Sequence, residues 1–222
     1  MIGGELTRYA ANQKFLVFDI ESNGLNLHYS RPWELSYAVF SLKNGVESIK
    51  TRLIRWPNLQ ISDELVYKIH FDRNKYEAEA LDPKVVWDEF GPLLCSSEYR
   101  AAGHGLLGFD TYMVDALRRA VGLPVDHSWL GSDEHNRKPL LDTDCLSKAY
   151  KKGWTPDLSS YDAFLAWQYR CSSYIEKGFK TKLGVMCGEF DIPYNEREAH
   201  SAEYDVKVNC LVLKGLITNM EI

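Results

Sequence analysis

The 222-residue sequence has no Cys-x-x-Cys pair, no long apolar run and no excess of positive charge, and each absence removes a class of function. Its five cysteines, Cys95, Cys145, Cys171, Cys187 and Cys210, stand far apart. That spacing argues against a zinc site and a disulfide framework, and fits a reducing cytoplasm. No stretch approaches the roughly 18 continuous apolar residues of a membrane span. Residues 1–14 lack the apolar centre of an export signal, so neither a membrane partner nor secretion is expected. A formal net charge of −5 disfavours a protein that coats duplex nucleic acid by bulk attraction, so any phosphate partner must be gripped locally. There is no internal repeat and no low-complexity tail. With 45% hydrophobic residues the chain can bury a full core, and a single domain over residues 1–222, with its core at about 15–214, is expected. Oligomeric state is left open.

Residues 15–21, Phe-Leu-Val-Phe-Asp-Ile-Glu, form a short apolar run ended by Ser22-Asn23-Gly24. The pattern predicts a central strand buried on both faces and followed by a turn. Two β-type stretches follow at about 33–42 and 47–54, joined by the hairpin signal Lys43-Asn44-Gly45. Helical spacing appears near 63–70 and 84–94, and a short strand at 99–102 runs into Gly103-His-Gly-Leu-Leu-Gly108. Met113, Ala116, Leu117 and Ala120 recur at helical spacing after Asp110, as do Val206, Cys210, Leu213 and Ile217 in the last helix. An α/β fold is predicted: a mixed sheet, antiparallel meander plus parallel strands, flanked by helices. Segments 122–139 and 153–162, rich in Gly, Pro, Ser and Asp, read as surface loops.

Asp19 and Glu21 are one residue apart on a strand, so both carboxylates point to the same side. They suit a two-point grip on a cation, or a strand end meeting solvent. Because the strand is apolar up to Phe18, charges at its end need a compensating partner. Asp110 opens a helix, where it reads either as a ligand or as an N-cap. His200 and Asp205 are five apart, which on a continuous helix separates them by about 140°. His200 must therefore precede the helix to reach a site served by Asp205, with Ser201 as its N-cap.

In this order, Phe18-Asp-Ile-Glu-Ser-Asn-Gly-Leu25, Gly108-Phe-Asp110 and His200-Ser-Ala-Glu-Tyr-Asp205 resemble the three exonuclease motifs of the DEDD superfamily, whose fold is ribonuclease H-like. The His-x-x-x-x-Asp spacing is similar to that of the histidine subgroup, typified by the proofreading subunit of bacterial DNA polymerase III, exonuclease I, ribonuclease T and oligoribonuclease. Tyr204, adjacent to Asp205, disfavours the tyrosine subgroup. Leu140-Leu-Asp-Thr143 resembles the strand between the second and third motifs, and Lys182-Leu-Gly-Val-Met-Cys-Gly-Glu-Phe190 resembles the helix before the histidine. The chain departs from most members in the second motif, where Gly105-Leu-Leu-Gly108 stands in place of an Asn-containing stretch and the His104 to Asp110 spacing is more like exonuclease I. Segments 122–139 and 153–178 are also longer than in the smallest members.

The resemblance implies a 3′-to-5′ exonuclease releasing nucleoside monophosphates from single-stranded or frayed DNA. Asp19, Glu21, Asp110 and Asp205 would hold two divalent cations, and His200 would be the general base. An all-carboxylate set selects hard ions, Mg²⁺ or Mn²⁺. Ser22, Asn23 and Leu25 would touch the 3′-terminal nucleotide through polar groups and an apolar wedge, or simply close the turn. Lys177, Lys180 and Lys182 either meet a strand's backbone or form a solvated loop. Trp154, Tyr161, Trp167 and Tyr169 either stack on bases or pack in the core. Two alternatives stay open: an exoribonuclease with the same site, since a metal-bound phosphate does not report the 2′-hydroxyl, and a non-catalytic nucleic-acid-binding module.

Overall fold

The computed structural model describes residues 13–220. Residues 1–12 and 221–222 lie outside it, so the expectation of no export signal falls largely on undescribed residues.

Strand β1 (Lys14–Ser22) is apolar from Phe15 to Phe18, a run that is stable only with both faces covered. It lies at the centre of a five-stranded sheet of order β3-β2-β1-β4-β5, with β2 at Pro32–Ser41, β3 at Gly45–Leu53, β4 at Tyr99–Gly103 and β5 at Leu141–Asp142. β1 pairs antiparallel with β2, Glu21 opposite Glu34, and parallel with β4, which is parallel to β5. The sheet is thus the mixed meander-plus-parallel arrangement the sequence predicts. Its outer strand β3 carries Glu47, Lys50 and Arg52, charges that protect an edge from further pairing.

Alternation along β1 sorts its side chains between two faces. Phe18 meets Phe90 and Trp129 edge-on, with ring centres 5.4 and 5.9 Å away. Phe90 belongs to α3 (Pro83–Cys95), whose buried Val86, Phe90 and Leu94 recur every four residues; α4 (Asp110–Ala120) packs beside it. Asp19 and Glu21 point the other way, to the face crossed by α8 (Ala202–Asn219), which lies against β1, β2 and β3. The remaining helices are α1 (Asp63–Lys68), α2 (Arg73–Glu79), α5 (Thr143–Lys152), α6 (Tyr161–Ser172) and α7 (Leu183–Glu189).

One helix carries no sequence signal, and one local expectation changes. Helix α2 escapes a periodicity search because Tyr76 is its one buried side chain, and its start is set by the Asp72 carboxylate accepting from the Asn74 and Lys75 N–H groups. Segment 122–139 is not a plain surface loop, since a 3₁₀ turn at Ser128–Leu130 sinks Trp129 into the core against Phe18. Of the four aromatics that could stack on bases, Tyr161 and Trp167 are buried, Trp154 is half-buried and Tyr169 is exposed. Among the described residues no helix is long and apolar enough to cross a membrane, and all five cysteines are free.

Candidate active site

Three distant stretches deliver carboxylates to the carboxyl-terminal end of β1, where loops diverge from parallel strands and sites commonly form. The register of β1 breaks between Glu21 and Ser22, so the chain leaves the sheet directly after its two acids. Parallel β4 ends nearby at Gly103, where a side chain has no room: a Cβ would fall 2.6 Å from the Phe18 carbonyl oxygen and 2.4 Å from Leu106. Gly105 follows with φ of +79°, a conformation that glycine adopts freely. Buried Asp142 fixes this loop by accepting from the Gly105 and Leu107 N–H groups, each at 3.0 Å.

The loop delivers Asp110 as the first residue of α4. Phe109 occupies the N-cap position and makes no side-chain cap bond, so the cap reading of Asp110 does not hold. Its buried carboxylate faces the sheet instead, with Oδ1 accepting from the Ile20 N–H at 3.0 Å, between Asp19 and Glu21. On α8, Ser201 stands at the N-cap position, again without a side-chain cap bond. Asp205 reaches back in its place, and Oδ2 accepts from the His200 N–H at 3.1 Å. His200 precedes the helix with φ of +65°, a conformation uncommon outside glycine, and the carbonyl before it accepts from His70 Nε2 at 2.9 Å. Ligand-type atoms of Glu21, His200 and Asp205 thereby lie within 4.8 Å of one another.

Charge is crowded here. Burial, then the charges of Glu34, Asp205 and Asp110, pushes Glu21 up to about 9. Burial and then Asp142 raise Asp110 to about 8, and burial raises Asp205 to about 6. Asp19 stands well above its ordinary value through burial, then through Asp110 and Glu21. Each carboxylate makes ionisation of the next more costly. Asp205 Oδ1 is buried with no hydrogen-bond partner among the described residues, which is costly unless a cation or donor meets it. An oxygen-rich set with one imidazole, short of positive charge and holding an orphaned oxygen, fits a hard divalent cation. The His200 ring is held below its ordinary value by partial burial and then by Lys68 and Lys182.

Glu34 is a further acid that motif spacing does not reveal. It is buried opposite Glu21, its proton affinity is raised by burial, and Oε2 accepts from the Ala202 N–H at 3.4 Å, joining β2 to the start of α8. The only local sign is a carboxylate within the apolar run around Trp33 and Leu35. Among the residues expected to touch a nucleotide, Ser22 is buried and its Oγ donates to the Gly24 carbonyl at 2.5 Å. Asn23 donates to the Gln60 carbonyl at 3.0 Å and accepts from the Arg31 N–H at 2.7 Å, so both residues close the turn. Leu25 is 85% exposed. Lys177, Lys180 and Lys182 are exposed.

No family model matches the sequence, and no curated protein does. Solved structures match it in fold. Exonuclease I of E. coli in complex with a dT13 oligonucleotide superposes with a TM-score of 0.69 at 15% identity, covering 94% of this chain and 42% of that one. The zinc-bound form of the E. coli exonuclease I complex with single-stranded DNA superposes with a TM-score of 0.71 at 14% identity, over 93% and 41%. The fold is ribonuclease H-like. This chain spans about two fifths of the length of those exonuclease I chains, and identity this low is a likeness of fold. Within the ribonuclease H-like sheet the acids come from β1, the start of α4 and the start of α8.

Proposed function

We propose that the protein is a metal-dependent 3′-to-5′ exonuclease that releases nucleoside monophosphates from the 3′ ends of single-stranded or frayed DNA. The observation that carries this reading is the cluster of carboxyls too close to ionise together, one with a buried oxygen that has no partner among the described residues. Asp19, Glu21, Asp110 and Asp205 would hold two divalent ions, Mg²⁺ or Mn²⁺. When bound, such ions supply a nucleophilic hydroxide and neutralise charge on the phosphate and the leaving oxygen.

The chain's own groups do the rest. His200 is exposed, and with its proton affinity lowered it is neutral near pH 7, so it can take the water's proton and return it to solvent. The Asp205 carboxylate fixes the His200 backbone, and thus the ring's direction. Lys68 and Lys182, both close enough to bias that ring, add positive charge where a phosphodiester approaches. Exposed Leu25 offers an apolar edge to the terminal base, on a turn held by Ser22 and Asn23. The complexes of exonuclease I with single-stranded DNA support the same class of substrate.

Incubation with 3′-labelled and 5′-labelled DNA and RNA oligomers, in Mg²⁺ or EDTA, tests the proposal. Mononucleotide release from the 3′ end of single-stranded DNA, abolished by EDTA, is the expected result. Release confined to RNA would make the enzyme an exoribonuclease, and no release from either polymer would leave a binding module.

A further inference from the structure

The opposite end of the sheet holds a polar cleft of about 640 Å³. It opens where β1 and β4 begin: Arg100 pairs with Phe15, four residues before Asp19, so the two regions lie about 13 Å apart along the strand. Lys14, Arg100, Arg137 and Lys138 line it against one carboxylate, Glu98, an excess of three positive charges in a chain of net charge −5.

Two of these cations are committed within the protein. Lys14 pairs with Glu98 at 2.8 Å, and Arg137 donates to carbonyls at the end of α3, Cys95 among them at 2.7 Å. Lys138 Nζ donates to the Gln13 side-chain oxygen at 3.0 Å. Arg100 is different, since its side chain is only 5% exposed and no acid among the described residues pairs with it. Nε donates to the Pro139 carbonyl at 2.5 Å, while Nη2 is buried with no partner among the described residues. The face of Phe164, 5.9 Å from the guanidinium carbon, is weak compensation for a buried cation. Burial lowers the proton affinity of Arg100 to about 9, the direction expected of a cation without a counter-ion.

A guanidinium held between a carbonyl and an aromatic ring at the wall of the cleft, with one buried nitrogen that has no partner among the described residues, lacks an acceptor that an oxyanion could supply after a small side-chain shift. Tyr99 and Tyr161 line the same cleft and add flat apolar wall, and its volume lies in the range of about 300–1,000 Å³ typical of small-molecule sites. We propose that this cleft binds a phosphate-bearing small molecule of nucleotide size, with Arg100 and Lys138 on the phosphate and a tyrosine ring against the flat part. Among the described residues it offers no spare carboxylate for a cation, so binding needs no metal and is independent of the nuclease reading.

Calorimetric titration of the full chain in EDTA with adenosine monophosphate and, separately, inorganic phosphate tests the proposal. One-to-one binding of the nucleotide, tighter than phosphate, is expected. Lys138→Glu should weaken it at least tenfold, Arg100→Gln likewise, and Asp19→Asn should leave it unchanged. Because replacing buried Arg100 can unfold the chain, Lys138→Glu carries the test by itself. No binding at millimolar nucleotide, unaltered affinity in Lys138→Glu, or equal affinity for phosphate and nucleotide would overturn the proposal. So would loss of binding in Asp19→Asn, which assigns it to the acid cluster.

Discussion

Glu21→Gln should stabilise the metal-free protein at neutral pH. The folded state holds the Glu21 proton up to about pH 9, whereas an ordinary glutamate releases it near 4.5. Between those values the native chain binds more protons than the unfolded one, so stability is fully present below 4.5 and drains away as pH rises toward 9. One pH unit corresponds to about 1.36 kcal/mol per group, which gives ~3 kcal/mol at pH 7 as the most that Glu21 alone can cost. Burial raises Glu21 most, and the repulsion that Glu34, Asp205 and Asp110 add is shared with their own protonation, so about half of that is the expected gain. Glutamine keeps the volume, and Glu21 accepts no hydrogen bond among the described residues, so no bond is lost. At about 2–4 °C per kcal/mol for a chain of this size, Tm should rise by roughly 3–6 °C. The assay is thermal unfolding in EDTA at pH 7 and pH 5, the gap narrowing at pH 5. A variant no more stable than the parent at pH 7, or a gap that persists at pH 5, refutes the crowded-carboxylate argument.

Asp19→Ala should abolish mononucleotide release with the circular dichroism spectrum unchanged, and retained turnover would end its assignment as a metal ligand. His200→Ala should slow turnover by about 10²–10⁴ while Mn²⁺ affinity, read by calorimetry, stays within a few-fold; a collapse of affinity would make the histidine a ligand. Because burial and nearby lysines lower the His200 proton affinity, its base form persists to more acid pH than usual, and the acid limb of kcat should lie below the ordinary histidine value near 6.5. A limb above that value contradicts the assignment. Leu25→Ala should raise KM for single-stranded DNA with Tm unchanged, since the side chain is 85% exposed; an altered Tm with an unaltered KM would make it structural.

Much of the fold is legible because its signals are local. The apolar run before Asp19, the Lys43-Asn44-Gly45 turn and the helical spacing after Asp110 each act over a few residues, and they correspond to β1, the β2–β3 hairpin and α4. The same locality sets Asp19 and Glu21 on one side of their strand. Helix α2 is not legible because one buried tyrosine makes no stripe, and Trp129 looks like a loop residue until Phe18 packs against it.

At the site, the sequence by itself determined which acids were available and that His200 had to stand before its helix. Only the tertiary structure decided that Asp110 leaves the cap to Phe109 and turns to the Ile20 N–H, a contact across 90 residues, and that strand register sets Glu34 against Glu21. The reason is physical: helix periods and turn signals act between near neighbours, whereas burial, register and mutual repulsion depend on distances that exist only once remote segments have packed together.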